Sequence, residues 1–335
     1  VDKPVSETLL DRRCFLVSSV AAGLAAYAGL TARGIAAHPG HDGKLPSLLR
    51  PSGFYPFMVG DVRGIVLSDG HLVLQPVSSV LVGSEDVQKS AGALLQESFL
   101  PTERLEAQLN TVVLIAGKEV VLVDVGAGKS FGPTGGRQAE VLANTGLKPE
   151  HVTKIFITHA HGDHLGGYLN DQGQPVYPNA ELILSEKEHA FWNQEEAPVA
   201  ALQDMMDGAR KCFAAAKDRL RLIKPGAEIA SGITAVEAYG HTPGHCQLLV
   251  ASGKDSLLIT GDTANHPILF LRHPEWAFGF DFERDQAAAT RKKTLEAAAR
   301  DRTCILAYHF PFPGIGHIRT HGSGGYEYVA EPMML

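Results

Sequence analysis

A chain of 335 residues with 44% apolar and 20% charged residues carries enough hydrophobic material for a substantial core, which excludes a disordered protein. Its formal net charge of −7, with no long Lys/Arg block, excludes an electrostatic footprint for nucleic acid or an anionic membrane surface.

The N-terminal stretch stands apart. Asp11-Arg12-Arg13-Cys14-Phe15-Leu16 opens an apolar run from Val17 to Leu30, followed by Arg33-Gly34-Ile35-Ala36-Ala37. Paired arginines, a modest hydrophobic segment and a small-residue exit predict a twin-arginine export signal over residues 1–37, cut near Ala37. The mature protein is then expected to be periplasmic or secreted. The run is too short and too rich in Ala and Gly to span a bilayer, so no membrane association is expected of the mature form. Cleavage would leave Cys212, Cys246 and Cys304, an odd and widely spaced trio that does not make a disulfide framework. Residues 38–53 read as a flexible polar arm, and 54–335 as one folded domain.

Phe57 to Leu67 and His71 to Leu74 read as a hairpin turning at Ser68-Asp69-Gly70. Helical spacing runs from Glu85 to Leu100. Asn110–Ile115 and Val120–Asp124, joined through Gly117-Lys118, form a second hairpin whose unbroken apolar runs suit strands covered on both faces. A glycine-rich loop from Gly126 to Gly136 leads to a helix over Arg137–Thr145, stopped by Gly146. Thr153–Ile157 and Ala180–Leu184 read as strands, and Glu186–Asn193 and Ala200–Arg219 as helices. Strands follow at Ile233–Tyr239, Gln247–Ala251, Ser256–Thr260 and Cys304–Tyr308, with a helix over Gln286–Arg300 before the last. Strands then helices, twice over, predict two sheets face to face with helices outside.

Thr158-His159-Ala160-His161-Gly162-Asp163-His164 packs three histidines and an aspartate onto a strand-to-loop junction. Desolvating that many polar groups is costly unless something binds them, and imidazole nitrogens with a carboxylate oxygen suit Zn(II) or a related first-row ion. Three further pieces follow strand ends: Gly240-His241-Thr242-Pro243-Gly244-His245, Gly261-Asp262, and Tyr308-His309-Phe310-Pro311.

Together these motifs resemble the metallo-β-lactamase superfamily from about Phe54 onward. The resemblance implies an α/β (α+β) fold, the four-layer αββα sandwich, and two divalent metal ions, zinc first with Mn, Co or Fe as substitutes. His159, His161 and His245 would hold one ion and Asp163, His164 and His309 the other, with Asp262 bridging. Asp262 and Asp163 would also serve catalysis. A hydroxide shared by ions about 3.5–4 Å apart would form near neutral pH and attack a neutral ester, without a Ser or Cys nucleophile. His241 is expected to brace its loop and Asp124 to orient a ligand. Cys246, whose side chain points away from its neighbour's, is expected in the core.

Ala307 to Arg319 and Gly325 to Val329, with Phe131-Gly132-Pro133-Thr134, Arg137, Phe191-Trp192 and Ser68-Asp69-Gly70, are similar to the methyl parathion hydrolase group. That resemblance implies a homodimer acting on a small aryl phosphotriester, with Phe131 and Trp192, beside Phe191, at the pocket mouth. A lactonase or carboxylic arylesterase on the same site is the alternative; hydrolytic dehalogenation or a non-catalytic metal-binding role ranks lower. Asn265 to Trp276 departs from the group's pattern. Followed by alternating Phe278, Phe280 and Phe282, it reads as a strand-like edge burying a phenylalanine face, or else as a pocket wall.

Overall fold

Alternating apolar residues from Phe54 onward build the first hairpin, in which β1 (Phe54–Val59) turns into β2 (Val62–Leu74). The computed structural model describes residues 52–129 and 131–333; the expected export signal and most of the arm lie outside them. Ser68-Asp69-Gly70 is not the hairpin turn. It lies inside β2, where the register slips between Ser68 and Gly70 and makes a bulge. Asp69 explains the difference. Its buried carboxylate accepts the N–H groups of Ala127, Gly136 and Gln138 at 2.8, 3.2 and 2.6 Å, so the bulge ties down the glycine-rich loop.

A helical turn, α1 (Val77–Val80), and the short β3 (Leu81–Val82) lead to α2 (Glu85–Glu97), whose N-cap Ser84 accepts from the Val87 N–H. The first half continues through β4 (Leu105–Ala116), β5 (Glu119–Val123), α3 (Gln138–Asn144), β6 (Lys154–Phe156) and the single turn α4 (Gly162–Leu165). It ends with β7 (Glu181–Ser185), α5 (Glu186–Trp192), α6 (Gln203–Ala216) and β8 (Leu220–Ile223). The second half runs through β9 (Glu228–Ala230), β10 (Ile233–Glu237), β11 (Cys246–Ser252), β12 (Asp255–Ile259) and α7 (Leu269–Arg272). After β13 (Ala277–Phe278) and α8 (Arg284–Asp301) come β14 (Cys304–Leu306), β15 (Ile315–Thr320) and β16 (Tyr326–Ala330).

Two seven-stranded sheets result, ordered β1-β2-β4-β5-β6-β7-β8 and β16-β15-β14-β12-β11-β10-β9. Strands β5 to β8 pair in parallel, as do β12 and β14, and helices α3 to α8 lie in these crossovers. Leu114, Val121, Val123, Phe156 and Ile183 of the first sheet meet Leu248, Val250, Leu257, Ile259 and Leu306 of the second in one buried cluster. Val141, Leu142, Met206 and Phe213 cover the outer face of the first sheet from α3 and α6. Leu269, Phe270, Leu295 and Ala298 do the same for the second from α7 and α8. The architecture is the expected four-layer αββα sandwich, and Cys246 is buried in its core.

The stretch from Asn265 to Trp276 is not a strand edge. Leu269, Phe270 and Leu271 are buried from α7, and β13 then pairs with β3. Arg291 of α8, itself buried, fixes this stretch by donating from Nη1 to the carbonyls of Pro274 and Trp276 at 3.0 and 2.8 Å, and from Nε to that of Thr263 at 3.0 Å. Asp281 balances its charge at 3.0 Å.

Candidate metal centre

The polar motifs gather at one end of the sandwich, past the C-terminal ends of parallel strands, where this class of sheet leaves room for ligands. The loop after β6 carries His159, His161, Asp163 and His164. The turn between β10 and β11 carries His241 and His245. Asp262 follows β12 and His309 follows β14.

His161 Nδ1 lies 2.9 Å from His159 Nε2 and 3.0 Å from His241 Nε2. Asp262 Oδ2 is 3.3 Å from His241 Nε2 and 3.9 Å from His159 Nε2, which completes one convergent set. In the second set, Asp163 Oδ2 is 3.5 Å from both His164 Nε2 and His309 Nε2. Asp262 reaches this set too, with Oδ1 3.2 Å from His164 Nε2 and Oδ2 3.0 Å from His309 Nε2. One carboxylate therefore faces two trios, each with its ligand atoms within 4.8 Å of one another.

The first trio contains His241, while His245, the expected ligand, stands beside it with its Nε2 on the Asp262 N–H. Both ring nitrogens of His245 are committed to backbone: Nδ1 lies 2.9 Å from the Ala238 carbonyl, and Nε2 accepts the Asp262 N–H at 3.2 Å. Gly261 admits this ring. It sits at φ +50°, and a Cβ there would stand 2.5 Å from His245 Nε2. His241 has the opposite surroundings, with Nδ1 held 2.9 Å from the buried carboxylate of Asp281 and Nε2 aimed at His161 and Asp262. A carboxylate behind an imidazole is how ligating histidines are commonly oriented.

The residues fit two divalent cations. His164 Nε2 and Asp262 Oδ1 are buried without a hydrogen-bond partner among the described residues, a costly state for polar atoms unless a ligand engages them. Imidazole nitrogens mixed with carboxylate oxygens are a donor set for zinc and its first-row neighbours. Burial, helped by adjacent imidazoles, holds His159 and His161 well below their usual range, so both stay neutral with a lone pair free. Burial opposes charge on His164 too, but the carboxylates of Asp262, Asp163 and Asp124 outweigh it and push His164 well above its usual range.

Asp124 stands where the sequence placed it. It directly follows β5 at φ 56°, its Oδ2 lies 2.8 Å from His164 Nδ1, and its Oδ1 accepts the Thr158 N–H at 2.8 Å. His309 Nδ1 meets the Gln108 carbonyl at 2.8 Å, and the Tyr308 hydroxyl donates to the Asp163 carbonyl at 2.7 Å.

A small pocket opens over both trios, lined by Asp163, Asp262 and Asn265 on the polar side and by Leu72, Met205, Phe278 and Phe280 among its apolar residues. Trp192 is not at its mouth. The indole is fully buried, edge-on to His161, and its N–H goes to Glu188 at 2.6 Å. Phe191 packs on Phe282 and Trp192 instead of lining the pocket, and Phe131 lines a neighbouring groove that shares Met205. The aromatic wall comes from Phe278 and Phe280, just past the stretch where the sequence departs from the resembled group, and Asn265 of that stretch lines the pocket too, as the pocket-wall reading expected. Sequence reading also missed Glu188, Asn265, Asp281 and Arg291. Asn265, three residues past Asp262, donates from Nδ2 to Asp262 Oδ2 at 2.8 Å. None of the four sits in a motif; only their distance from their partners in the fold gives them away.

An αββα sandwich with two histidine/aspartate trios sharing one carboxylate defines a class of dinuclear metalloproteins. The sequence model described as the metallo-beta-lactamase superfamily matches residues 106–309, more than half of the chain. The protein belongs to the metallo-β-lactamase superfamily. Among curated relatives, an N-acyl homoserine lactonase from Bacillus cereus is 26% identical over 176 residues, 52% of this chain. The chain spans 62% of that relative's length. Among solved structures, the dizinc quorum-quenching lactonase AidC, in complex with an N-acylated homoserine product, superposes with a TM-score of 0.80 at 26% identity, covering 84% of this chain and 99% of its own. The hydrolase AbOPH of the beta lactamase superfamily reaches 0.79, also at 26% identity, covering 85% and 100%.

Proposed function

We propose that this protein is a dinuclear, zinc-preferring hydrolase that opens lactones of the N-acyl homoserine type. The observation that carries the reading is the pair of trios sharing Asp262 beneath an apolar pocket. The names of the relatives favour the lactone over the aryl phosphotriester that the tail and aromatic motifs suggested. When bound, a pair of divalent ions supplies an acidified water and polarises the ester carbonyl. The chain does the rest. Leu72, Met205, Phe278 and Phe280 hold the apolar part of the substrate and keep bulk water out. Asn265 fixes one oxygen of Asp262, which keeps that carboxylate facing both trios. Asp163, in the pocket floor, is placed to take up the proton released by the attacking water and pass it to the departing alkoxide through the oxygen that does not face His164 and His309. A homodimer and export as a folded periplasmic protein belong to the same reading, checked by light scattering and by fractionation of cells.

The test is a steady-state panel before and after chelation. Lactone turnover should vanish with EDTA and return with zinc. Its kcat/KM should exceed that for paraoxon-type phosphotriesters by about 100-fold or more, roughly 2.7 kcal/mol of transition-state preference. Turnover indifferent to chelation would defeat the hydrolase reading, and phosphotriesters outrunning lactones would restore the other substrate.

A further inference from the structure

Glu188, in the first turn of α5, is fully buried among the residues behind the metal centre. Its carboxylate accepts four hydrogen bonds, two at each oxygen. Oε1 takes the Ala160 N–H at 2.8 Å and the Trp192 indole N–H at 2.6 Å. Oε2 takes the Thr242 hydroxyl at 2.7 Å and the Gly244 N–H at 2.9 Å. Ala160 lies between His159 and His161, and Thr242 directly follows His241. One oxygen therefore grips the loop after β6 while the other grips the turn between β10 and β11. Backbone contact tightens the join: Ser185, the N-cap of α5, accepts the Glu188 N–H at 3.0 Å and donates to the Gly244 carbonyl at 2.7 Å. Gly244 is required there, since a Cβ would stand 2.1 Å from the Glu188 nitrogen.

The second trio is braced by other groups. Asp124 holds His164, the Gln108 carbonyl holds His309, and Tyr308 holds the backbone of Asp163. The supports of the two sets meet at Thr158, whose hydroxyl donates to Asp124 and lies 3.1 Å from His159 Nδ1, and at the shared Asp262; the four bonds of Glu188 go to other groups.

We propose that Glu188 is a positioning residue for one metal site, setting the distance between the His159–His161 segment and the turn that carries His241 and His245, with little effect on the Asp163–His164–His309 site. The inference rests on the two-ion reading above. Outer supports of metal ligands are worth about 10–100-fold in affinity, so losing this one should weaken one ion by that factor. The other ion should stay within about threefold.

Cobalt(II) titration of the metal-free protein, read by visible absorption and by bound stoichiometry, tests this without relying on turnover. The wild type should take up two ions. Glu188→Gln should keep one at wild-type affinity and bind the other 10–100-fold more weakly. That effect should persist in a His309→Ala background and disappear in His241→Ala, which assigns it to the first trio. Thr242→Val removes a single one of the four bonds and should act in the same direction, more mildly; it decides the matter if Glu188→Gln does not fold. Equal weakening of both ions, or wild-type affinity at both, overturns the proposal. A wild type that binds fewer than two ions would instead sink the reading on which it rests.

Discussion

His241 and His245 lie in the same turn, and the motif resemblance makes His245 the ligand and His241 the brace. What separates them is the chain behind each ring: a carboxylate 40 residues downstream for His241, and two backbone groups for His245. His241→Ala should lose one of two bound ions and at least about 100-fold in kcat/KM, more than the loss of an outer support alone. His245→Ala should unpair a buried carbonyl and a buried N–H, at about 1–3 kcal/mol each, and lower metal uptake if the motif's ligand set holds. Metal analysis beside thermal melts tells them apart; His245→Ala keeping both ions while melting lower would leave His241 as the third ligand of the first set. Residues such as His159, Asp163 and His309 were legible because a strand end and a short polar motif suffice to mark them. Glu188 and Asp281 were not, because a buried carboxylate looks like a surface one until its donors are brought to it by the fold.

At the level of elements, the sequence showed most strands and helices through their apolar periodicity, but misread two segments whose shape is set by a distant charge. Asp69 turns an apparent hairpin end into a bulge by holding three N–H groups of the glycine-rich loop. Asp69→Ala strands those donors and should cost about 2–4 kcal/mol in denaturant unfolding, with new proteolytic cleavage confined to residues 126–138. Arg291 does the same for the stretch around α7, where its guanidinium satisfies three carbonyls and stacks 4.8 Å over the Phe270 ring. Arg291→Met leaves the buried Asp281 without its cationic partner, a change worth about 3–5 kcal/mol. Since Asp281 also holds His241, that variant should bind one ion less tightly as well as melt lower; a melt shift with unaltered metal uptake would show that Asp281 holds His241 unaided.

For the molecule as a whole, the αββα plan was legible because the order of strands and helices repeats, and repetition survives errors of a few residues at each boundary. The pocket was less legible, since Phe278 and Phe280 reach it from a stretch with no recognisable pattern. Anything that binds only the folded state stabilises it by mass action, about 4 kcal/mol at a thousandfold excess over Kd. Zinc at that excess should therefore raise the Tm of the chelated protein measurably, and calorimetry that finds no shift would mean the trios take up no ion.

Neither trio belongs to one half of the chain. His159 and His161 wait for His241, Asp163 and His164 wait for His309, and Asp262 comes to both from the later half. During synthesis, the earlier sheet can collapse and pack its own helices yet still own no finished cage. Capture of a cation would thus report that the two sheets have already docked, and ions held there would act afterwards as rivets through the seam, resisting its reopening.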